Sequence, residues 1–469
     1  MNKKLLIIIF SIIGIIIILF TGLRFLSPNI KQDFPKLDES VTYENRIFDD
    51  SYVHLVEVTI SDEDWQDLLA NPTKKTKYKC DVKIDGIEFK NVAFSTKGNS
   101  SLNRVAEAPK KSERYSFKIN FGKYVEDQTY YGLDILHLNN TYNDATYMKD
   151  YMSYEMFKKI GIPAPLASYT FIKINNKNHG LYISTENIGE SFLKRNNLSG
   201  NLYKPEQEKG DNGASLKYTD DNISSYPNIF DNNETEVSEE DNKRLISSLK
   251  TISEKNNIET VIDTDELIKY YVVHNFLLNY DSYTGSSIHN YYLYEDNGKL
   301  SFFPWDYNMS QGAFAMTEDE TFIVNYGIDS PLYKAKEEDR PLWNWIINNE
   351  TYLNKYHEEY DKFLKEYLEN NEFNNKVDET YNLINKYINA DRTKFYKNKQ
   401  INDAVKEYKE FNNLRTQSIR LQLSGKLATK TKQQKDNNKI DASKIKLQKM
   451  GEQTGKLEDN KHEKKTNNN

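Results

Sequence analysis

Three oxygen-bearing side chains, Asp281, Asn290 and Asp306, stand at the ends of elements that the sequence marks as buried. Leu267, Tyr270, Tyr271, His274, Leu277 and Leu278 share one face at helical spacing, and Asp263 or Thr264 can cap that helix. It runs into Asp281, after which Ser282 to Ser287 read as a loop. His289-Asn290 then opens an aromatic strand, Tyr291 to Tyr294, and Asp296-Asn297-Gly298 turns it into a second strand that ends in Pro304-Trp305-Asp306. Two carboxylates and an amide so placed suit phosphoryl transfer, in which a protein mostly positions groups and neutralises charge. One Asp would orient an acceptor hydroxyl, while Asn and Asp oxygens would hold Mg²⁺ on the phosphates. The same residues could equally be a turn cap and a strand end.

The wording of this stretch resembles the CotH spore-coat kinase family. That family's pattern is Asn-x-Asp, then His-Asn-Tyr-Tyr-Leu-Tyr, then Pro-Trp-Asp, matched here by Asn279-Tyr280-Asp281, His289 to Tyr294 and Pro304-Trp305-Asp306. Further resemblance lies in Lys97-Gly98-Asn99-Ser100-Ser101, in the strand carrying Lys118, in Gly180-Leu-Tyr with Glu186, in Gly200-Asn-Leu-Tyr-Lys204, and in a closing helix near Asn412 to Leu423. It covers about residues 52 to 425. The resemblance implies an α+β, two-lobed, atypical protein-kinase-like fold and an ATP- and Mg²⁺- or Mn²⁺-dependent Ser/Thr protein kinase, acting on coat or surface proteins. It assigns Asp281 to the acceptor hydroxyl and Asn290 and Asp306 to the metal. Lys97, Gly98, Asn99 and Ser100 fall to the nucleotide, as a small-residue turn between strands whose N–H groups can approach phosphate.

Lys118 is the first choice for the phosphate lysine, with Lys97 and Lys204 as other cleft candidates. Glu155 lies on the apolar face of the helix pattern 144 to 160, where a carboxylate needs a partner; a kinase-like lobe would supply that lysine, and an exposed acid is the competing reading. Glu186 and Lys204 could line the cleft or be a strand-end cap and a surface lysine. Where the family has a second acid two positions after the Pro-Trp-Asp aspartate, this chain has Asn308, which keeps an oxygen for a metal but lacks the charge. A non-catalytic coat-assembly or adhesion platform on the same fold is the alternative function. A hydrolase built on paired acids finds no matching carboxylate pair.

The elements that must position these residues follow from composition. The chain has 469 residues, 38% hydrophobic and 13% aromatic, enough for a sizeable core or two lobes. Net charge −7 and a pI near 5.7 argue against nucleic-acid binding. One cysteine, Cys80, allows no internal disulfide and reads as strand packing. Residues 5–23 are uncharged and apolar on every face, and at 1.5 Å per residue would span about 28 Å, so residues 1–26 read as a membrane signal anchor. The flanking lysines favour a single-pass topology with the bulk outside the cytoplasm or at the spore surface. Residues 27–50 read as a tether, 51–204 as an N-terminal nucleotide-binding lobe, and 205–241 as a solvated acidic insertion. Residues 242–425 make a C-terminal catalytic lobe with a helical bundle, and 426–469 a disordered Lys-, Gln- and Asn-rich tail.

Overall fold

Alternation of apolar and polar residues makes the strands of the first half, and turn residues set their register. In the computed structural model, which describes residues 34–451 apart from 110–111, 208–209, 256 and 316–317, seven strands close into a barrel. They are β1 (His54–Thr59), β2 (Tyr78–Ile84), β3 (Ile87–Thr96), β4 (Phe117–Asn120), β5 (Ile135–Asn139), β6 (Ala167–Ile174) and β7 (Lys177–Glu186). Their order is β1-β2-β3-β4-β5-β7-β6, antiparallel except for the parallel β1–β6 pair that closes the ring. The expected Asp85-Gly86 hairpin turn is present, both residues in the left-handed region that such a two-residue turn demands. Tyr78, Cys80, Val82 and Ile84 alternate into the barrel core, and burial pushes the Cys80 thiol up to about 12, so it is no nucleophile.

The second half is helical around a small sheet, β8 (Asn201–Tyr203), β9 (Tyr291–Asp296) and β10 (Lys299–Pro304), in the order β10-β9-β8. The helix Thr264–Leu277 is capped by Asp263, whose side chain accepts from the N–H groups of Asp265 and Glu266. It is buried on nearly every face after its first turn, wider than the single stripe read from spacing. The expected C-terminal helices are Pro341–Ile347, Glu350–Phe363, Glu372–Ala390 and Asn398–Leu423. The architecture is therefore mixed α+β. No helix among the described residues is long and apolar enough to cross a membrane, and the apolar run 5–23 lies outside the described residues.

Three expectations from composition need correction. The described part of the tether is docked: Tyr43, Ile47 and Phe48 are buried, and Tyr43 Oη donates to Glu186 at 2.5 Å. The acidic insertion is packed into the core of the helical half, because Ala214, Leu216, Tyr226 and Ile229 are buried in it and Tyr291 Oη donates to the Ala214 carbonyl at 2.7 Å. Residues 426–451 are packed too, with Leu427, Ala442, Ile445, Leu447 and Met450 each at most 3% exposed. In each case a few large apolar residues in a polar stretch suffice to seat it, which average composition conceals.

The barrel is joined to the helical half by a buried ion pair, Arg114 to Asp391 at 2.6 Å. Arg114 also donates to Thr393 Oγ1 at 2.9 Å, to the Asn140 carbonyl at 3.0 Å and to the Leu181 carbonyl, while Asp391 accepts from Leu181 N–H at 2.9 Å. Gly180, at φ +128, lies so close that a Cβ there would stand 2.5 Å from both charged groups. Arg114→Met strands the Asp391 carboxylate and should lower the unfolding free energy by about 3–5 kcal/mol in urea melts. Adding Asp391→Leu should cost less than the sum of the two single changes, and strict additivity would show that the pair is not coupled.

Candidate active site

The end of β10 delivers Asp306 into a cleft between the barrel and the helical half. Pro304 ends the strand, Trp305 is buried, and Asp306 turns the chain at φ +53, a conformation Asp tolerates better than most residues. The helix Lys149–Lys159 grips this turn from below. Tyr154 Oη accepts from the Asp306 N–H at 3.1 Å and Asp150 Oδ1 accepts from the Tyr307 N–H at 2.7 Å. Asn279 Nδ2 donates to the Asp306 carbonyl at 3.3 Å, and Asn308 Nδ2 donates to the Asp306 carboxylate.

Opposite stands Lys97, just past the end of β3. Its Nζ donates to Asn139 Oδ1 at 2.6 Å and lies 5.6 Å from the Trp305 ring centre. Burial lowers its pKa to about 8 against the pull of Asp306 and Asp150. Burial and the neighbouring Asp306 charge together raise Asp150 to about 8, and Asp306 is itself raised by burial and by Asp281, against Lys97. Two carboxylates thus face one amine in a partly buried cleft, a set of groups that favours a further cation. The cleft encloses a cavity of about 50 Å³ that opens to solvent, walled by Lys97, Gly98, Asn139 to Asp144, Asp150, Asp306 and Asn308.

Asp281 and Asn290 form a second cluster beside this cleft. After the central helix, Leu278 takes a left-handed conformation and the chain reaches Asp281, whose Oδ1 is 2.9 Å from His289 Nε2. Asn290, at φ +57, donates from Nδ2 to the Asp281 carbonyl at 2.8 Å and to Asp281 Oδ2 at 3.2 Å. Burial pulls the His289 pKa down, but the hydrogen bond and charge of Asp281, with Asp306 and Glu206, leave it raised overall. The Asp281 charge reaches Asp306, so the two clusters are electrostatically one site, although Asp281 and Asn290 do not wall the cleft itself.

Other residues singled out from the sequence fall elsewhere. Asn99 and Ser100 are exposed, because the stretch after Gly98 starts the helix Ser100–Glu107 rather than turning between strands. Lys118 on β4 does not wall the cleft; Lys97 does. Glu155 pairs with Lys158 on the outer face of its helix, and Asp150, which sequence reasoning missed, is the acid facing Lys97. The helix is buried from Lys149 through Tyr154, so no single apolar stripe existed to identify its inward acid. Glu186 is a structural carboxylate, fully buried and held by Arg195 at 2.8 Å and the Leu166 N–H at 3.0 Å. Lys204 pairs with Glu206 at 2.6 Å, but its charge is felt at Lys97.

A family model described as CotH kinase protein matches residues 94–419, which span Lys97, Asp150, Asp281 and Asp306. The chain belongs to the CotH kinase protein family. Two relatives from Bacillus subtilis (strain 168) match parts of it. Inner spore coat protein H is 25% identical over 207 residues, 43% of this chain and 55% of that protein. Inner spore coat protein H-like protein is 34% identical over 77 residues, 16% of this chain and 24% of that protein. The chain thus spans about half and about a quarter of the lengths of these relatives.

Could this CotH cleft hold a metal? Among the described residues no group of three or more His, Cys, Asp or Glu could hold an ion by itself. The oxygens that wall the cleft are the Asp306 and Asp150 carboxylates and the Asn308 amide, with Asn290 in the neighbouring cluster on Asp281. That set suits Mg²⁺, which takes one or two carboxylates and completes its shell with water and phosphate oxygens. A bound cation would oppose the burial that raises both Asp150 and Asp306 and the Asp306 charge that raises Asp150 further.

Without a metal, Asp150 gives the fold a pH signature. Burial and the Asp306 charge make it hold its proton in the folded chain to a pH well above the value of about 4 at which an unfolded Asp ionises. Between these values the unfolded state binds fewer protons, so stability falls as pH rises, by at most about 1.4 kcal/mol per unit. In chelator, the wild-type unfolding free energy minus that of Asp150→Asn should decline from pH 5 to pH 8. A flat difference would show Asp150 already ionised in the fold.

Proposed function

We propose that this CotH family member is a protein kinase that transfers the γ-phosphoryl group of ATP to Ser or Thr hydroxyls of proteins. The observation that carries the reading is one cleft in which Lys97, Asp150 and Asp306 meet, with Asp281 at its edge. Lys97 would contact phosphate oxygens, with Asp150 as the acid balancing its charge. Asp306, Asn308 and Asn290 would hold Mg²⁺ or Mn²⁺, which when bound neutralises charge on the phosphates. Asp281, oriented by His289 and Asn290, would take up the acceptor hydroxyl's proton as its oxygen bonds to the γ-phosphorus and the bond to ADP breaks. The names of the two relatives support coat proteins as acceptors and the spore surface as the location. The apolar run 5–23 supports a single-pass anchor delivering the body there.

A second reading, a coat-assembly platform without catalysis, rests on those same printed names. Phosphotransfer separates the two. With γ-labelled ATP, Mg²⁺ or Mn²⁺ and Ser-rich acceptors, the wild type should incorporate label, and Asp281→Ala should lower kcat on the order of 10²-fold or more, as expected for loss of a positioned base. Asp306→Ala should abolish metal-dependent turnover. Equal absence of label in folded wild type and variants would favour the platform.

Between the two candidate lysines, Lys97→Met should weaken binding of a fluorescent ATP analogue far more than Lys118→Met. The reverse order would return the phosphate role to β4.

A further inference from the structure

We infer that the C-terminal strap, residues 424–451, is a positioning element of the cleft: its last turn sets the wall at residues 143–146, so that seating the strap and filling the cleft are coupled. The inference rests on the cleft being the ligand site proposed above.

The strap leaves the helix Asn398–Leu423 and runs back across the helical half. Asp329 N–H donates to the Thr429 carbonyl at 2.9 Å. Asn325 then reads the Ile440 backbone in both directions, accepting its N–H at 2.9 Å and donating to its carbonyl at 2.8 Å. Ala442, Ile445, Leu447 and Met450 are buried. The strap ends where the cleft begins: the Met450 carbonyl accepts from the Ala145 N–H at 3.0 Å. Gly451, at φ +133, lies so close to the wall that any Cβ would overlap the Asn143 carbonyl oxygen.

Ala145 is a consequential place for that bond. Just before it, Asn143 and Asp144 wall the cleft. Just after it, the Asp144 carboxylate caps the helix that carries Asp150, accepting from Thr146 N–H at 2.8 Å and Lys149 N–H at 2.9 Å. The two halves of the wall are supported differently. Residues 140–142 are held by Arg114 at the Asn140 carbonyl and by Tyr396 Oη at the Tyr142 carbonyl, 2.7 Å. The 143–146 half has the strap behind it.

Charge adds to the seating, because Lys449 pairs with Glu407 and Lys446 with Glu320 at 3.3 Å. Both lysines are about half exposed, so these pairs are weak and salt-sensitive compared with the buried Arg114–Asp391 pair. Asn143 also keeps its Oδ1 buried with no hydrogen-bond partner among the described residues, a group that a cleft ligand could satisfy. Coupling between strap and ligand is then reciprocal: whatever loosens one loosens the other.

The test uses the full chain and two variants. Gly451→Val cannot seat the last turn, whereas Lys446→Glu/Lys449→Glu weakens the seating without touching the core. Hydrogen exchange by mass spectrometry should accelerate about tenfold at 142–147 in both variants while β1 and β2 stay unchanged. The Kd of a fluorescent ATP analogue with Mg²⁺ should rise about fivefold, the lower range of typical coupling. Unchanged exchange at 142–147 in both variants overturns the inference. So does faster exchange with an unaltered Kd. A wild-type chain that binds no nucleotide defeats the reading of the cleft instead, and exchange at 142–147 still decides whether the strap braces the wall.

Discussion

A single guanidinium links the barrel to the helical half at the cleft, beside the apolar core that the two share. Arg114 leaves the barrel side and meets Asp391, Thr393, the Asn140 carbonyl and the Leu181 carbonyl, with both charged side chains fully buried. A buried pair of this kind gains little over an apolar packing of equal volume, yet it is costly to break, because either partner left alone is a bare charge without water. Its value is geometric. It ties a strand of the barrel, a wall of the cleft and the linker between two C-terminal helices to one point, and only glycine at position 180 leaves room for it.

The cleft that this junction defines is deliberately out of electrical balance. Burial raises both Asp150 and Asp306; the Asp306 charge raises Asp150 further and the Asp281 charge raises Asp306, while Lys97 pulls both down and His289 and Lys204 add to that pull at Asp306. Asn290 and Asp306 both sit in left-handed backbone, which costs free energy at non-glycine positions and tends to persist where the surroundings fix a functional side chain. Such a site suits a divalent cation, the charge that the proposed phosphoryl transfer would require. Membership of the CotH kinase protein family agrees with that chemistry without depending on it.

Local chemistry was readable where one residue type has one physical use. Asp85-Gly86 and Asn297-Gly298 made the turns expected of them, Asp263 capped the central helix, and Pro304-Trp305-Asp306 ended a strand as read. The misreadings share a cause. Glu155 stands on the apolar side of its helix pattern and Lys118 on the strand after the small-residue turn, whereas the cleft is walled by Asp150, on a helix buried almost all round, and by Lys97, just past a strand end. Composition likewise made residues 34–50 and 426–451 look solvated, although Tyr43, Ile47, Leu447 and Met450 anchor them.

By itself the sequence determined most strands, turns and helix ends, because each depends on neighbours a few positions away, and the family resemblance pointed to Asp281, Asn290 and Asp306. Tertiary structure decided which lysine and which helix acid lie near Asp306, that Asp281 is held by His289, and that Gly451 packs against Asn143. Those outcomes depend on desolvation and on charges brought together across a hundred or more residues, and no local pattern of residue types records either.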